Sequence, residues 1–465
     1  MRVHTFLWSM LLAVCIFGKV LASEEIQSTQ STESGEKASP KSVASWTFLV
    51  YIAADNSLAP YASYNINDMS AGLASTNDVN VLVQWDKPAD KKTWRYKITP
   101  GGKTDAGTMV SEMGYNPAKE LYNSMQWAVT NYPANHYALV LWDHGSGIED
   151  FYPGSTKNMF DMSKWLYLLP SFSDRGILYD DSQDTCLTNQ GLTSALTNIK
   201  KLLGKNLDVI AMDACLMAMV EVAYQMNGLV NIFVGSQQTI PGEGYPYSQF
   251  IRPLSLNPST TSPLQLAQNM VTSYKNFYTT QQPTSDFTLS AIDVTSIDSI
   301  KQNITQFITA IAACSKIDKT KTKSIVLAAR KASISFEMPE YIDLYSFYAN
   351  ILNQTKKTSP KSALILEKHN LKPRPSLKPR PNPKPKPTPQ PTQAYQTALN
   401  ALNVVVQTGL AQISKVVLQE DSGPVYAGAR GISIYYPSNG QIDSSYKLTL
   451  FAKNTSWMTF VQTYR

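Results

Sequence analysis

Two short apolar runs in this chain each end on a residue that can take part in acyl transfer. Residues 207–217 read Leu-Asp-Val-Ile-Ala-Met-Asp-Ala-Cys-Leu-Met, an apolar stretch that breaks at Asp213 and delivers a single thiol, Cys215. Residues 137–147 read Tyr-Ala-Leu-Val-Leu-Trp-Asp-His-Gly-Ser-Gly and deliver an imidazole, His144. Histidine is scarce: His4, His136, His144 and His369 make up the full set. A thiol becomes a strong nucleophile once a base takes its proton, and the same imidazole can then protonate a leaving amine. The tetrahedral intermediate needs N–H donors for its oxyanion. Gly145 and Gly147 follow His144 directly and let the backbone approach closely, and the Cys215 N–H is a second donor. Types and order together point to a cysteine hydrolase.

That chemistry requires both side chains on one rigid edge. Trp46 to Ala53 is a continuous apolar run, the signature of a strand buried on both faces. The turn Asp55-Asn56-Ser57 leads into a helical pattern over Leu58 to Leu73, and Val79 to Trp85 and Trp94 to Ile98 read as further strands. A helix over Ala118 to Thr130 precedes the strand that ends at His144, and another over Gly191 to Leu203 precedes the strand that ends at Asp213. An apolar helical pattern from Leu216 to Tyr224 follows Cys215, and Asn231 to Gly235 adds a strand. Strands alternating with helices predict an α/β fold with a mostly parallel sheet between helices, whose active sites gather at the carboxyl edge of the strands. His144 and Cys215 stand 71 residues apart with one helix between them, so parallel neighbouring strands would bring them to the same edge. Beyond residue 285 a strand over Phe287 to Ile292 gives way to helical stretches, Thr295 to Ala313 and Lys323 to Leu352. A helix over Ala394 to Leu410, a strand over Gly431 to Pro437 and a helix over Trp457 to Tyr464 complete a helical C-terminal region.

Composition sets the organisation and excludes some functions. Residues 1–22 read as a secretory signal, with Arg2, the apolar segment Phe6 to Phe17 and the small-residue site Val20-Leu21-Ala22, which predicts a secreted or periplasmic protein. Residues 23–44 form a polar leader, 45–290 the core, and 291–371 the first part of the helical C-terminal region. A Pro/Lys-rich linker at 372–393 and a second C-terminal part at 394–465, returning to the core, follow. No later stretch offers the ~18 uninterrupted apolar residues of a membrane span. The net charge of +6 is local: the six basic residues between Lys372 and Pro391 account for it, and the rest carries 35 basic against 35 acidic residues. Nucleic-acid binding by the folded body therefore has no electrostatic support, while the arm offers a weak contact for anionic surfaces. Three cysteines remain after signal removal, and Cys186 and Cys314 read as small buried apolar residues, with a bridge between them as the alternative. No Cys/His spacing suggests a metal site.

Several blocks together resemble the clostripain family of cysteine peptidases. They are Trp-Thr-Phe-Leu-Val-Tyr-Ile-Ala-Ala-Asp-Asn (46–56), Ala-Leu-Val-Leu-Trp-Asp-His-Gly-Ser-Gly (138–147) and Asp-Ala-Cys-Leu-Met (213–217). Further matches are Val-Glu-Val-Ala-Tyr (220–224), Pro-Gly-Glu-Gly-Tyr-Pro-Tyr (241–247) and Gly-Ile-Ser-Ile-Tyr-Tyr-Pro (431–437). The resemblance implies a caspase-like α/β/α sandwich and an endopeptidase with a His144–Cys215 dyad, acting on protein or peptide substrates. It further implies cleavage after arginine or lysine, with Asp213 contributing to the pocket for the cation; Glu243, in Pro-Gly-Glu-Gly, is a second candidate for that pocket, the alternative being an exposed turn residue. Maturation by self-cleavage is implied between the two blocks, where the loop from Ile148 to Ser173 offers Lys157 and Lys164. No cofactor is expected; some relatives depend on calcium, but no EF-hand-like acidic spacing is present. The chain departs from the family pattern at Gln237, Gln238, Ile240 and Tyr245. The competing expectation is a catalytically silent relative that binds peptides or surface ligands through the same cleft.

Overall fold

The structure is a computed structural model that describes residues 42–88, 92–109, 112–148, 176–358 and 392–465. The signal segment, nearly all of the polar leader, Lys157, Lys164 and the Pro/Lys linker up to Pro391 lie outside the described residues. In chain order the strands are β1 (Ala44–Ala53), β2 (Val79–Asp86), β3 (Thr93–Thr99), β4 (Gly102–Met109), β5 (Ala134–Trp142), β6 (Ile177–Asp180) and β7 (Thr185–Leu187). They continue as β8 (Leu207–Asp213), β9 (Val230–Gly235), β10 (Thr288–Asp293), β11 (Tyr341–Asp343), β12 (Val417–Ser422) and β13 (Ser433–Tyr435). Nine of them form one sheet in the order β12-β10-β9-β8-β5-β1-β2-β3-β4. The five central strands run parallel, β9 to β2, and antiparallel strands close both edges.

Period-two alternation explains why this sheet is covered on both sides. In β1, Leu49, Tyr51 and Ala53 enter one buried cluster, whereas Trp46, Phe48, Val50 and Ile52 enter the other. In β5, Tyr137, Leu139 and Leu141 join the first cluster and Ala138, Val140 and Trp142 the second. Helices α1 (Ala59–Gly72), α5 (Tyr247–Leu256) and α6 (Pro263–Asn276) cover the second face with residues such as Met69, Phe250 and Met270. The first face is covered by α2 (Pro117–Asn131), α3 (Asn189–Leu203) and the short α4 (Val220–Gln225). To these are added α7 (Ile297–Ile317), α8 (Lys319–Lys331), α9 (Leu344–Lys357) and α10 (Gln393–Val416). The fold is thus α/β, a mostly parallel sheet between helical layers with a helical C-terminal region packed on one face.

Several elements differ from the sequence expectations. The helical stretch expected over Lys323 to Leu352 is two helices, α8 and α9, separated by a turn containing Pro339 and by β11. Asp343 ends that strand and caps α9, its carboxylate accepting the Ser346 N–H at 2.6 Å. The strands β4 and β12 were absent from the expectation; β12 comes from the C-terminal region and pairs antiparallel with β10. No disulfide links Cys186 to Cys314, and Cys314 is buried whereas Cys186 is only half-buried.

Candidate active site

β5 and β8 are hydrogen-bonded parallel neighbours in the register Trp142 to Asp213. The ladder continues one step further, the Asp143 N–H donating to the Asp213 carbonyl at 3.2 Å. His144 and Cys215 follow these positions, so the sheet sets their two backbone segments side by side. Gly145 shows how tight the junction is: a Cβ there would lie 2.6 Å from the Cys215 carbonyl oxygen and 3.0 Å from both the Ala214 Cβ and the Met217 Sδ. Gly147 has a φ of 71° and sits beside Met219 and Tyr341.

The residues after Cys215 are not the helix expected from Leu216 to Tyr224. Leu216 has a φ of 65°, the chain turns at 215–216 and again where the Met219 N–H donates to the Met217 carbonyl at 2.7 Å, and α4 begins only at Val220. Hydrogen bonds explain the difference. The Leu216 N–H donates to the Gln238 carbonyl at 3.1 Å and the Ala218 N–H to the Ser236 carbonyl at 2.8 Å. On its other side the Ala218 carbonyl accepts the Ser433 N–H at 2.9 Å. A run buried on every side has no helical stripe to reveal its conformation. Glu221, fully buried in α4, accepts the Tyr435 N–H at 3.0 Å and is pushed up to about 8 by burial.

The thiol and the imidazole are both neutral in this arrangement. The Cys215 Sγ accepts the Ile240 N–H at 3.2 Å. The side chain reaches the surface in part, yet the surrounding protein removes enough water to push the thiol up to about 11, helped by the charges of Asp213 and Asp143. His144 is 6% exposed, and burial lowers its imidazole to about 4. Its Nε2 lies 2.9 Å from the Ser57 Oγ and its ring meets Tyr179 edge-on at 6.2 Å. Beside it Asp143, raised well above the carboxylate range by burial, accepts the Asn56 Nδ2 at 2.8 Å, and the same amide donates to the Tyr179 carbonyl at 2.9 Å. The Asp55-Asn56-Ser57 turn, which the sequence reading gave no role in the site, therefore organises the surroundings of the imidazole. Tyr179 and Tyr341 also escaped the sequence reading. The Tyr179 hydroxyl pairs with the Ser146 Oγ at 2.9 Å, and the Tyr341 hydroxyl donates to the Ser146 carbonyl at 2.6 Å.

Asp213 lies under the loop 241–247. Its Oδ2 accepts the Tyr245 N–H at 3.0 Å and the Tyr247 hydroxyl at 2.9 Å, while Oδ1 takes no hydrogen bond from the described residues. Burial raises this carboxyl to about 7 against those two donors. Asp213 is therefore tied to that loop and does not cap a helix. Gly244 permits the approach, since a Cβ at this position would come within 2.8 Å of Oδ2. Glu243 sits on the same loop, partly exposed, with its carbonyl accepting the Asn65 amide at 2.9 Å. Gln237 and Gln238 are buried cross-links: Gln237 donates to Asp343 at 3.1 Å, and Gln238 to Asp286 at 3.0 Å and to the Tyr426 hydroxyl at 2.6 Å. Among the described residues no group of three or more His, Cys, Asp or Glu side chains is arranged to hold a metal ion.

Fold and site together define an α/β protein whose parallel sheet carries a thiol and an imidazole on adjacent strand ends. The chain belongs to the clostripain family: the Peptidase_C11 profile matches residues 50–464. Clostripain of Hathewaya histolytica is 25% identical over an alignment of 236 positions that covers 44% of this chain and 41% of that protein. The chain thus matches less than half the length of that curated relative. A secreted C11 cysteine protease of Bacteroides thetaiotaomicron, solved with an irreversible peptide inhibitor, superposes with a TM-score of 0.57 at 19% identity, covering 89% of this chain and 99% of that one. An inactive zymogen C11 protease of Parabacteroides distasonis gives a TM-score of 0.51 at 19% identity over 90% of this chain and 99% of its own. At such identities the two structures establish the fold.

Proposed function

We propose that the chain is an exported cysteine endopeptidase that hydrolyses peptide bonds after arginine or lysine. The observation that carries the reading is the β5/β8 register, with Gly145 packed against the Cys215 carbonyl, because it joins the two chemical groups on one strand edge. Membership of the clostripain family supports the same reaction. In this reading His144 takes the Cys215 proton and the thiolate attacks the substrate carbonyl. The Gly145 and Cys215 N–H groups stabilise the oxyanion. His144 then protonates the departing amine, and water hydrolyses the thioester to restore the thiol. The Ile240 N–H on Sγ favours the thiolate once it forms.

Asp213 and Glu243 are the proposed partners of the substrate cation. The Asp213 Oδ1 left without a hydrogen bond supports this, since a guanidinium or ammonium there would also offset the negative charge that raises the thiol. Maturation by cleavage within 148–178, at Lys157 or Lys164, fits a resting state in which thiol and imidazole are neutral and Nε2 pairs with Ser57. Calcium dependence is not part of the proposal. The test is digestion of a peptide library by purified protein alongside Cys215→Ala, with a lysyl or arginyl chloromethylketone as active-site label. Cleavage after basic residues and labelling of Cys215, both lost in Cys215→Ala and His144→Ala, are the expected results. An intact library and an unlabelled thiol in protein matured by a basic-specific protease would instead leave a peptide-binding relative.

A further inference from the structure

The β3–β4 hairpin and the C-terminal end of α2 enclose a cleft of about 360 Å³ whose floor is cationic and aromatic. Arg95 of β3 lies half-buried in it. Its Nε donates to the Gln84 Oε1 at 3.0 Å, and its guanidinium carbon stands 4.7 Å from the centre of the Trp127 ring. Those two contacts fix the plane of the fork and leave both terminal nitrogens without a hydrogen-bond partner among the described residues. Lys97, two residues along the same face of the strand, holds its Nζ 5.4 Å from the Tyr132 ring, which in turn packs edge-on against Trp127. Neither cation forms an ion pair with a described carboxylate. Glu120 of α2 acts on the guanidinium only at longer range, and burial brings Arg95 down to about 10. Those terminal nitrogens are not buried, so a ligand entering the cleft can meet them directly.

We propose that this cleft binds an extended acidic peptide segment, one carboxylate taken bidentately by Arg95 and a second, two residues on, by Lys97. Alternate residues of an extended chain repeat at roughly 6.5–7 Å, which is also the backbone spacing of Arg95 and Lys97 along β3. A planar guanidinium braced on an aromatic ring matches a carboxylate, and the Trp127 and Tyr132 rings give the peptide's aliphatic parts an apolar wall. Tyr132 borders the cleft at the amino end of β5, while Arg95 pairs with Gln84 of β2 and so stands level with Tyr51 of β1 and Leu141 of β5. Three strand spacings, roughly 14 Å, set the Arg95 backbone to the side of β5 and of the His144 that follows it. The cleft is therefore an exosite: it can hold a polypeptide at a distance from Cys215 without entering the catalytic edge.

The test is fluorescence anisotropy with a fluorescein-labelled, amidated hexapeptide carrying glutamate at alternate positions and no arginine or lysine. The full chain is titrated at low and at physiological ionic strength, with inorganic phosphate and citrate as competitors. Saturable binding is expected, weakened about tenfold or more in Arg95→Gln and a few-fold in Lys97→Gln. The charge-matched Lys319→Gln, an exposed residue at the start of α8, is expected to bind normally. Thermal melting of each variant separates loss of the site from loss of the fold, and Lys97→Gln carries the test if Arg95→Gln is unfolded. Absence of saturable binding, or equal affinity in the folded Arg95→Gln and Lys97→Gln proteins, overturns the proposal. Displacement by phosphate at concentrations matching the peptide reassigns the cleft to small anions and overturns it equally.

Discussion

Substituting Gly145 by alanine tests the junction between the two strand ends most directly. The added Cβ would stand 2.6 Å from the Cys215 carbonyl oxygen, about 0.8 Å short of the 3.4 Å at which ordinary contact begins. The obstacle is backbone, so no rotamer change relieves it, and two further contacts at 3.0 Å block movement towards Ala214 and Met217. The β5/β8 junction must open by several tenths of an ångström, or the 143–146 loop must swing away. Overpacking of this kind costs about 1–3 kcal/mol of stability. Displacing one reacting group by about 1 Å costs about a hundredfold in rate where attack geometry matters. We therefore expect Gly145→Ala to lower kcat/KM on a short basic peptide substrate about 10- to 100-fold and to reduce the melting temperature by several degrees. Gly102→Ala is the control, because nothing lies within 4 Å of its added Cβ. A Gly145→Ala protein with kcat/KM within threefold of the unaltered chain and the same melting temperature would refute the adjacency that the catalytic reading depends on.

Three other perturbations separate specificity, support and charge. Asp213→Asn keeps an oxygen for the Tyr245 N–H and the Tyr247 hydroxyl, so the fold should persist while kcat/KM for arginine and lysine substrates drops about 100-fold; equal loss on neutral substrates would deny it a pocket role. Asn56→Ala strips a hydrogen bond from each of the buried Asp143 carboxyl and the Tyr179 carbonyl, and urea unfolding should register a loss of about 1–3 kcal/mol. Burial raises the Asp86 carboxyl to about 7, so between pH 4 and 7 the folded chain keeps a proton that the unfolded chain releases. This group's contribution to stability therefore falls as pH rises through that window. Asp86→Asn should flatten the slope and raise stability at pH 8 by about 1–3 kcal/mol while changing little at pH 4; identical slopes in the two proteins would dismiss this account.

Much of the central sheet is visible in the residues themselves. Strands buried on both faces must be apolar throughout, so β1, β5 and β8 stand out as continuous runs, and the two chemical groups follow two of them. The edge strands are hidden by the opposite logic. β4 is mostly solvent-exposed and reads Gly-Lys-Thr-Asp-Ala-Gly-Thr-Met, and β12 carries Gln419, Glu420 and Asp421, so neither offers a hydrophobic pattern. The segment after Cys215 misleads because a run buried all round looks the same in either conformation, and only its bonds to Ser236, Gln238 and Ser433 decide it. Asn56 and Ser57 have no distinguishing neighbours in sequence. Their importance comes from spatial contact with His144, Asp143 and Tyr179, across separations of 87 to 123 residues.

The order of strands in the large sheet has a consequence for assembly. Reading across it, β4, β3, β2, β1 and β5 all precede Gly145, and β8, β9, β10 and β12 all follow Ile177. The sheet is split into an early and a late half of the chain, and the two halves meet at the β5/β8 pair, with α2 and α3 packed across it. Two polypeptides, residues 1–148 and 176–465, would each contain whole strands of this sheet and meet within it only at β5/β8. Produced together they should reconstitute the site by fragment complementation, with the imidazole on one piece and the thiol on the other. Activity would then follow second-order kinetics of association, and dilution alone would switch it off.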